Sequence, residues 1–454
     1  MILMKKGEKD LTEGPFLGKL IVFAVPMIVT ALLQTAYNAV DVAVVGFFRG
    51  QEALAAVGST GSLFNVIVNL FMGLSVGAGV LVAQYIGAKE HQRVSEVVHS
   101  SVLLAVLLGV FVSVLGVLLA PELLRLMDTP DIVHGQATLY LRIIFCGIPA
   151  LLLYNYCAAV LRSSGDTKHP LLFLSFSGIL NVVLNVIFVA VLGRGVDGVA
   201  LATVLSQYVS AGMILVFLSR HGGVVHFSPR KLRFHRSVLG RMLYIGIPSG
   251  IQSSLLSLSN VLIQSSINRF GDAMMAGNSA AYNLENFVYT PMTAVGQATQ
   301  TFVGQNVGAK KPRNLPRILG ASITFSLCIA VLGSAVILMF REPLVGLYAP
   351  ENAEVLRFAV QRLFLLLPFS FLLPLTEAFG NALLGMGQSI YSMFNYLQGY
   401  CLFRIFWTLF IVPVIGTSAS IYYSYPISWW LVATVGIVLF FIFYRRLRRE
   451  NMEE

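Results

Sequence analysis

Charged residues are scarce in this sequence, with 31 Lys and Arg and 21 Asp and Glu spread over 454 positions. A soluble protein usually carries about a quarter of its residues as charges. Hydrophobic residues reach 56%, and the mean hydropathy is +0.78. This composition excludes disordered chains and nearly every water-soluble enzyme, and it predicts an integral membrane protein.

Cysteine is also rare, and the four that occur (Cys146, Cys157, Cys328 and Cys401) form no CxxC pair. We therefore expect small buried hydrophobic residues rather than disulfides or metal ligands. The seven histidines are scattered without HExxH-type spacing, so we expect no catalytic residues and no cofactor. The net charge of +10 is dispersed between apolar stretches, which argues against nucleic-acid binding.

Apolar stretches long enough to cross a membrane, which takes about 20 residues, occur twelve times. Gly, Pro or charged residues separate them, as is typical of turns at a membrane surface. The sequence thus predicts an all-α integral membrane protein with twelve transmembrane helices. The predicted spans are 16–46, 53–84, 94–119, 133–163, 169–192, 197–219, 237–268, 274–307, 316–340, 352–384, 388–414 and 424–445.

The basic residues are distributed unevenly between the two ends of these spans. With both termini and the even-numbered loops on one face, that face holds 22 Lys and Arg. The opposite face holds eight, among them Arg341, Arg357 and Arg362, and Arg404 alone is left within a span. The positive-inside rule makes the richer face cytoplasmic. We therefore expect both termini in the cytoplasm, and the short tails suggest the cell (inner) membrane of a prokaryote.

The two halves of the sequence resemble each other when Pro26 is aligned with Pro248. In nearly the same register the stretch VAQYIGAK at 82–89 matches VGQNVGAK at 303–310, with five of eight positions identical. Because six spans per half is an even number, both halves enter the membrane from the same side. They are parallel repeats, which predicts two bundles around a central cleft that opens alternately to each side.

This repeat also predicts the domain organisation, with one lobe for each half of the sequence. The limits of the predicted spans leave a short tail at each end and a basic linker between the lobes. A chain with six helices in each half completes its own cleft, so we expect a monomer. The predicted divisions are a cytoplasmic tail at 1–13, a first lobe at 14–220, a basic linker at 221–236, a second lobe at 237–446 and a cytoplasmic tail at 447–454.

Three carboxylates lie well within predicted spans: Asp41, Glu285 and Glu377. A charge there is costly, so each is a candidate functional residue. Asn38 lies one helical turn before Asp41. Two amides of span 5 share one face at i, i+4 spacing, and span 6 supplies a hydroxyl. With Asp41 these groups would form an oxygen cage for Na⁺ or a hydrogen-bond network around a proton. The cage residues are Asn181, Asn185 and Thr203.

The second-half carboxylates have no acidic residue at the matching positions of the first half. Arg404 is a candidate ion-pair partner for Glu377. Otherwise the carboxylates line a cavity that receives a cationic substrate or a second cation. The predicted cavity set is Glu285, Glu377, Arg404, Asn260 and Gln34.

Taken together, these motifs resemble the multidrug and toxic compound extrusion (MATE) family. The resemblance rests on the twin Gln-x-x-Gly-Ala-Lys endings, on Pro26 followed by the stretch 38–41, and on LRSSGD at 161–166. It implies export of drug-like, often cationic, organic compounds in exchange for entering Na⁺ or H⁺. Asp41 matches the first-span carboxylate of the family, and Glu377 resembles an acidic residue found on span 10 in some branches.

The match has one departure, on span 5. Asn181, Asn185 and Thr203 correspond to the polar cluster around the family's first-span carboxylate. Prokaryotic members often carry Asp at the position of Asn185, so this chain has one negative charge fewer. A Na⁺ site would rest on Asp41 alone.

Three alternatives to an antiporter fit the sequence less well. A lipid-linked precursor flippase of the same superfamily would need a strongly basic cavity for a pyrophosphate, and the spans offer Arg404 only. A membrane enzyme would need a His, Cys or metal constellation. A receptor or scaffold does not explain three carboxylates within the membrane or the duplicated bundle.

Overall fold

The computed structural model describes residues 11–126, 129, 131–220, 222–347 and 352–453, without the side chains at 38–40, 42–43, 45–63, 65 and 453. Every regular element in these residues is helical. The α-helices are α1 (Phe16–Gly87), α2 (His91–Leu126), α3 (Asp131–Ser163), α4 (Lys168–Asn185), α5 (Val196–Arg220), α6 (Arg236–Asn268), α7 (Asp272–Gly308), α8 (Leu315–Met339), α9 (Arg341–Gly346), α10 (Ala353–Leu366), α11 (Leu373–Gly385), α12 (Ser389–Tyr396), α13 (Arg404–Phe406), α14 (Val412–Ile415) and α15 (Ser418–Glu453).

Some helices are continued by turns of a different pitch, so that predicted spans 5, 10 and 11 each combine two or more segments. A 3₁₀ turn connects α10 to α11, and π-helical segments follow α4, α12 and α13. These segments are the 3₁₀ turns Pro229–Lys231, Pro312–Asn314 and Leu367–Leu372 and the π-helical segments Val186–Val191, Leu397–Phe403 and Trp407–Ile411.

Two helices are longer than the sequence predicts. α1 is one helix of 72 residues, whereas a break was predicted at 47–52. That segment contains no proline and a single glycine, so it holds no residue that strongly stops a helix. α15 continues to Glu453, past the predicted end at 445, because Arg, Leu and Glu are good helix formers.

Ten helical stretches among the described residues are long and apolar enough to cross a membrane. Helices α6 and α7, the predicted spans 7 and 8, are 33 and 37 residues long but carry many Ser, Asn and Gln residues. Their length is sufficient for a span. The ten stretches are Phe16–Tyr37, Val66–Gly87, His91–Leu126, Asp131–Ser163, Lys168–Val191, Val196–Arg220, Pro312–Met339, Ala353–Gly385, Ser389–Ile415 and Ser418–Met452.

The internal repeat is visible in the backbone. In the register that aligns Pro26 with Pro248, the helix Asp131–Ser163 falls on 353–385, which are the bounds of the α10–α11 segment. Left-handed residues also recur: Gly165 (φ 100°) pairs with Gly387 (φ 78°). Lys89 (φ 61°) and Lys310 (φ 55°), which end the matched GAK motifs, are the only non-glycine residues with positive φ in the described part. The two halves therefore repeat one helical arrangement, in the same chain direction.

By its internal contacts the chain forms two compact units, which we call unit 1 (residues 29–250 of the described part) and unit 2 (residues 11–28 and 251–453). In unit 1, α3 packs against α2 and α5, and α4 packs against α5. In unit 2, α7 packs against α8, α10 and α11, and α15 packs against α10 and α11. The predicted lobes differ in two segments: residues 14–28 were assigned to the first lobe but belong to unit 2, and residues 237–250 were assigned to the second lobe but belong to unit 1.

The grouping of these two segments has a packing explanation. The start of α1 packs in unit 2, where the rings of Phe23 and Phe302 meet edge to face with centroids 5.5 Å apart. The start of α6 packs in unit 1 against the end of α1. A Cβ atom on Gly77 would lie 2.1 Å from the Met242 carbonyl oxygen. Small residues thus bring these two helix backbones into direct contact, as membrane helices commonly do.

The four cysteines differ in burial. Cys157 and Cys401 are buried, as expected, whereas Cys146 and Cys328 are exposed, so the expectation of burial is wrong for these two. Both exposed residues lie on apolar helices, α3 and α8, which leave large hydrophobic side chains such as Leu139 (48% exposed) and Leu332 (66% exposed) uncovered by other helices. Such surfaces are those that a membrane protein presents to lipid.

Replacing Gly77 by Leu should disrupt the contact between α1 and α6. Because the new side chain would collide with backbone atoms, we expect a cost above about 3 kcal/mol. The melting temperature in detergent should fall by roughly 5–10 °C. Gly212→Leu is the control, since a Cβ there meets no atom within 4 Å. Equal melting temperatures for the two variants would contradict the close packing.

Candidate cation-binding site

Asp41 lies on α1 and is 9% exposed. Its carboxylate accepts two hydrogen bonds from other helices of unit 1. The Asn185 Nδ2 on α4 donates to Oδ1 at 2.5 Å, and the Thr203 Oγ1 on α5 donates to Oδ2 at 3.0 Å. Both carboxylate oxygens therefore have a partner, and a buried charge at Asp41 is partly stabilised.

Asn181 completes the cluster that the sequence predicts. Its Oδ1 accepts a hydrogen bond from Asn185 Nδ2 at 3.2 Å, and its Nδ2 donates to Thr203 Oγ1 at 3.3 Å. Thr203 Oγ1 also lies 3.1 Å from the carbonyl oxygen of Val199. Four of the five predicted cation-coupling residues thus contact one another, and three helices meet at one hydrogen-bonded network.

Two local features position the amides. Asn181 and Asn185 are four residues apart on α4, so their side chains lie on one face. The π-helical segment Val186–Val191 begins directly after Asn185, and such segments are frequent at functional sites. In this arrangement Asn185 Oδ1 is buried and has no hydrogen-bond partner among the described residues. A free buried acceptor beside a carboxylate marks a place where a proton or cation gains a ligand.

The groups of this cluster fit a monovalent cation. One carboxylate, two amide oxygens and one hydroxyl are the hard oxygen donors that Na⁺ shares with other hard cations. In the structure the amide nitrogen of Asn185 faces Asp41. A Na⁺ ion between them would need this amide turned so that Oδ1 faces the carboxylate. Protonation of Asp41 would not require the Asn185 amide to turn.

Three other predicted residues belong to α1 and α6, namely Gln34 and Asn38 of the first half and Asn260 of the second half. The side chain of Asn38 lies outside the described residues. Gln34 and Asn260 are exposed, on α1 and α6 respectively. Sequence reasoning also missed Tyr37, whose ring packs against α4 where Gly178 leaves room: a Cβ there would lie 1.7 Å from Tyr37 Cζ. A glycine inside a span, three residues before Asn181, was the available signal.

Glu285 is not a free carboxylate, because it forms an ion pair with Arg362 of α10. Arg362 Nε donates to Oε1 at 2.9 Å and Nη2 donates to Oε2 at 2.6 Å, a bidentate geometry. The two side chains are 15% and 3% exposed. The sequence assigned Arg362 to the outer face, which is wrong. It is ten residues into predicted span 10, or about 15 Å at the α-helical rise, and that depth was the missed signal.

A shell of polar and aromatic groups surrounds this ion pair. Arg362 Nη1 donates to Asn278 Oδ1 at 2.5 Å, and Asn278 Nδ2 donates to Gln264 Oε1 at 2.9 Å. The guanidinium also lies over the rings of Tyr422 and Tyr425, 5.6 and 5.3 Å from their centroids. Aromatic faces and bidentate hydrogen bonds together stabilise a buried guanidinium.

Glu377 has a different environment. It is 6% exposed and accepts hydrogen bonds from Tyr289 Oη at 3.3 Å and Asn381 Nδ2 at 3.1 Å. No ion pair joins it to Arg404 or to another base in the part of the chain that the structure describes. The suggested Arg404–Glu377 pair is therefore wrong.

Arg404 instead turns towards α15. Its Nε donates to Ser428 Oγ at 2.9 Å, and its guanidinium lies 4.8 and 4.3 Å from the ring centroids of Tyr400 and Tyr425. The face of Tyr425 is thus shared with Arg362, and aromatic contacts take the place that a carboxylate would fill.

Removing one member of the Glu285–Arg362 pair should be more harmful than removing both. A lone buried charge costs about 3–5 kcal/mol. Since arginine cannot lose its proton in a protein whereas a carboxylate can gain one, Glu285→Gln should destabilise more than Arg362→Gln. The double variant should destabilise less than Glu285→Gln. Thermal unfolding of the four proteins in detergent checks this order.

The exposed pair Glu122–Arg125, with N–O distance 3.0 Å, provides the control. Its side chains are about two-thirds exposed, 67% and 68%, so Glu122→Gln should cost less than about 1 kcal/mol. For the buried pair, the prediction fails if the loss of stability in the Glu285→Gln/Arg362→Gln variant equals the sum of the losses in the two single variants.

Comparisons with known proteins match both halves of the chain. The family model described as MatE matches residues 26–187 and again 248–410. The two matches begin at Pro26 and Pro248, the pair of prolines that sets the register of the repeat. A solved structure titled as the outward-facing conformation of a multidrug resistance MATE family transporter of the MOP superfamily has a TM-score of 0.91. It is 24% identical and covers 98% of this chain and 100% of that one.

Two curated relatives from Bacillus subtilis (strain 168) are similar over most of their length. "Probable multidrug resistance protein YoeA" is 29% identical over 368 residues, 79% of this chain and 78% of the relative. "Probable multidrug resistance protein YpnP" is 31% identical over 299 residues, 66% of this chain and 67% of the relative. With the family match on both repeats, these similarities show that the chain belongs to the MATE family of multi-pass membrane transporters and is not an enzyme.

Proposed function

We propose that this protein is a secondary active multidrug efflux antiporter of the cell membrane, with both termini in the cytoplasm. It exchanges entering H⁺ or Na⁺ for cytoplasmic organic compounds, chiefly amphiphilic cations. The observation that carries the proposal is the buried Asp41 network, with hydrogen bonds to two other helices and the unpartnered Oδ1 of Asn185. The printed names of the relatives supply the drug-like class of cargo.

Asp41 is the residue to which we assign the coupling cation. In the charged state its carboxylate holds Asn185 of α4 and Thr203 of α5 as hydrogen-bond donors. A bound proton neutralises the carboxylate and weakens both hydrogen bonds, since they are strongest to the charged acceptor. A bound Na⁺ instead replaces the hydrogen bond from Asn185 with coordination by the turned amide. Either event changes the contacts by which the three helices hold one another. Cation binding thereby favours a second arrangement of α1, α4 and α5, which is the step that drives alternating access.

The energy for export comes from the membrane potential and the cation gradient. One elementary charge moving inward is worth about 2.3 kcal/mol per 100 mV, to which its concentration gradient adds. A cationic substrate leaving against the same potential consumes an equal amount. Net export of a monovalent cation therefore depends on the gradient term, or on more than one coupling ion.

For the substrate or a second cation, we propose Glu377 as the receiving carboxylate of unit 2. It is buried and bonded to neutral groups, Tyr289 and Asn381, rather than to a base. Glu285 is a poorer candidate because Arg362 already neutralises it. For the same reason a pyrophosphate-bearing lipid is disfavoured as cargo: the Arg362 charge is compensated, and Arg404 is shielded by two tyrosine rings.

Asp41→Asn should abolish coupled export. The amide keeps the shape of the side chain, but it carries no negative charge and is not protonated near neutral pH, so it cannot be neutralised by a proton or by Na⁺. In liposomes loaded with a fluorescent cationic dye, wild type should move dye under a Na⁺ gradient at fixed pH or under a pH gradient without Na⁺. The gradient that works identifies the coupling ion, and we expect at least about a tenfold loss of rate in the variant.

Asp131→Asn is the matched control, because Asp131 is an exposed residue in the first turn of α3. It should transport like wild type. Full gradient-driven export by Asp41→Asn would remove Asp41 from the coupling role.

Asn185→Asp tests the electrostatics of the same site. A second carboxylate would face Asp41 at hydrogen-bond distance, and two like charges about 4 Å apart repel by about 4 kcal/mol at an effective dielectric constant of 20. The pair should bind a cation more tightly, so half-maximal coupling should move to at least about tenfold lower Na⁺ or to higher pH. Asn185→Ala removes a donor and a ligand without adding charge, so it should not lower the Na⁺ requirement, and any move to higher pH should be smaller than in Asn185→Asp. An unchanged cation dependence in Asn185→Asp would contradict the assigned site.

A further inference from the structure

The linker between the two repeats is docked onto the start of α2 in unit 1. Val225 and Phe227 of the linker are buried in the hydrophobic core of that unit. The Ser228 backbone N–H donates to His99 Nε2 at 3.0 Å, and the His235 N–H donates to Ser100 Oγ at 3.2 Å. The linker therefore has a defined structure, with its basic residues held at fixed positions.

His99 contributes geometry rather than charge to this contact. Because its Nε2 accepts a hydrogen bond from Ser228, the ring proton lies on Nδ1, which donates to the Ser95 carbonyl oxygen at 2.7 Å. The ring also stacks on Phe227 with a centroid distance of 5.5 Å. Both nitrogens are used, so a neutral imidazole anchors the linker.

A cavity of about 360 Å³ opens beside this anchor, between the linker and α2. Arg230, Lys231 and Arg233 line it from the linker side, and all three are exposed. Glu96 is the carboxylate of the cavity wall, and it is already engaged. It accepts a hydrogen bond from Gln92 Nε2 at 3.4 Å and lies 3.9 Å from His235 Nδ1. The cavity thus has an excess of positive charge and many N–H donors.

Apolar side chains alternate with these bases. Leu232 and Phe234 are 40% and 39% exposed. The linker joins the ends of two membrane-spanning helices, α5 and α6, so it lies at the membrane surface. Exposed Leu and Phe among Lys and Arg are typical of segments at the boundary between lipid and water.

We propose that this cavity binds a phosphate group, with the exposed Leu232 and Phe234 favouring the headgroup of an anionic phospholipid as its source. Arg and Lys side chains bind phosphate through charge-assisted hydrogen bonds. Basic pockets on the cytoplasmic side of membrane helices recognise such headgroups. A bound headgroup would bridge the linker and α2, and it would tie the join between the repeats to the lipid composition of the membrane.

The test uses the purified full-length chain in detergent and measures its melting temperature. Three probes are titrated: dihexanoyl phosphatidylglycerol, dihexanoyl phosphatidylcholine and sodium phosphate. The variant Arg230→Gln/Lys231→Gln/Arg233→Gln removes the bases of the cavity. The variant Arg445→Gln/Arg448→Gln/Arg449→Gln is the control, because it removes the same charge from exposed positions of α15. Lys231→Gln alone serves if the triple variant does not fold.

Phosphatidylglycerol should raise the melting temperature of wild type and of the control equally, and phosphatidylcholine should not. The half-saturating concentration should rise on the order of 100-fold in the linker variant, because each base contributes about 1 kcal/mol near an anionic surface. An equal rise with sodium phosphate would support the site and assign it to a soluble phosphate. The proposal would be overturned by identical titrations for wild type and the linker variant. It would also be overturned if neither phosphatidylglycerol nor sodium phosphate raised the melting temperature.

Discussion

A carboxylate inside a membrane protein must be hydrogen bonded, ion paired or protonated, and the polar interior of this chain is organised by that requirement. Glu285 meets it with a bidentate guanidinium, and Glu377 meets it with a tyrosine and an amide. Asp41 meets it with an amide and a hydroxyl from two other helices. Ion pairing at Glu285 compensates the charge permanently. Neutral donors at Asp41 and Glu377 stabilise the charge only partly and leave each carboxylate able to accept a cation.

The repeat makes this division of roles clearer. In the register that aligns the two halves, the positions of Asp41, Asn181, Asn185 and Thr203 are taken in the second half by Ile263, Phe403, Trp407 and Tyr425. The backbone is repeated, including a π-helical segment near the same place in each half, but the chemistry is not. Unit 2 has apolar and aromatic side chains where unit 1 has oxygen donors. One of these rings, that of Tyr425, is the cation–π partner of both Arg362 and Arg404.

Much of this organisation is predictable from sequence, and the reason differs between features. Span positions follow from the length of apolar runs, and the shared face of Asn181 and Asn185 follows from helical periodicity. The partner of Glu285 does not follow, because Arg362 is distant in sequence and only packing brings the two together. The same holds for Gly77 against α6 and for the free Oδ1 of Asn185, which depends on how three helices meet. Local patterns determine elements, whereas contacts between elements depend on side-chain shape across the whole unit.

The central claim is that Asp41 is the carboxylate that takes up the coupling cation. Infrared difference spectroscopy of the purified protein measures carboxyl groups directly, by comparing alkaline with acidic buffer and Na⁺-free with Na⁺-containing buffer. The account predicts a carboxyl band that changes with the coupling cation in wild type and in Glu377→Gln, and that is missing in Asp41→Asn. If Asp41→Asn kept every cation-dependent carboxyl band of the wild type and Glu377→Gln lost them all, the account would be contradicted and the coupling carboxylate would lie in unit 2.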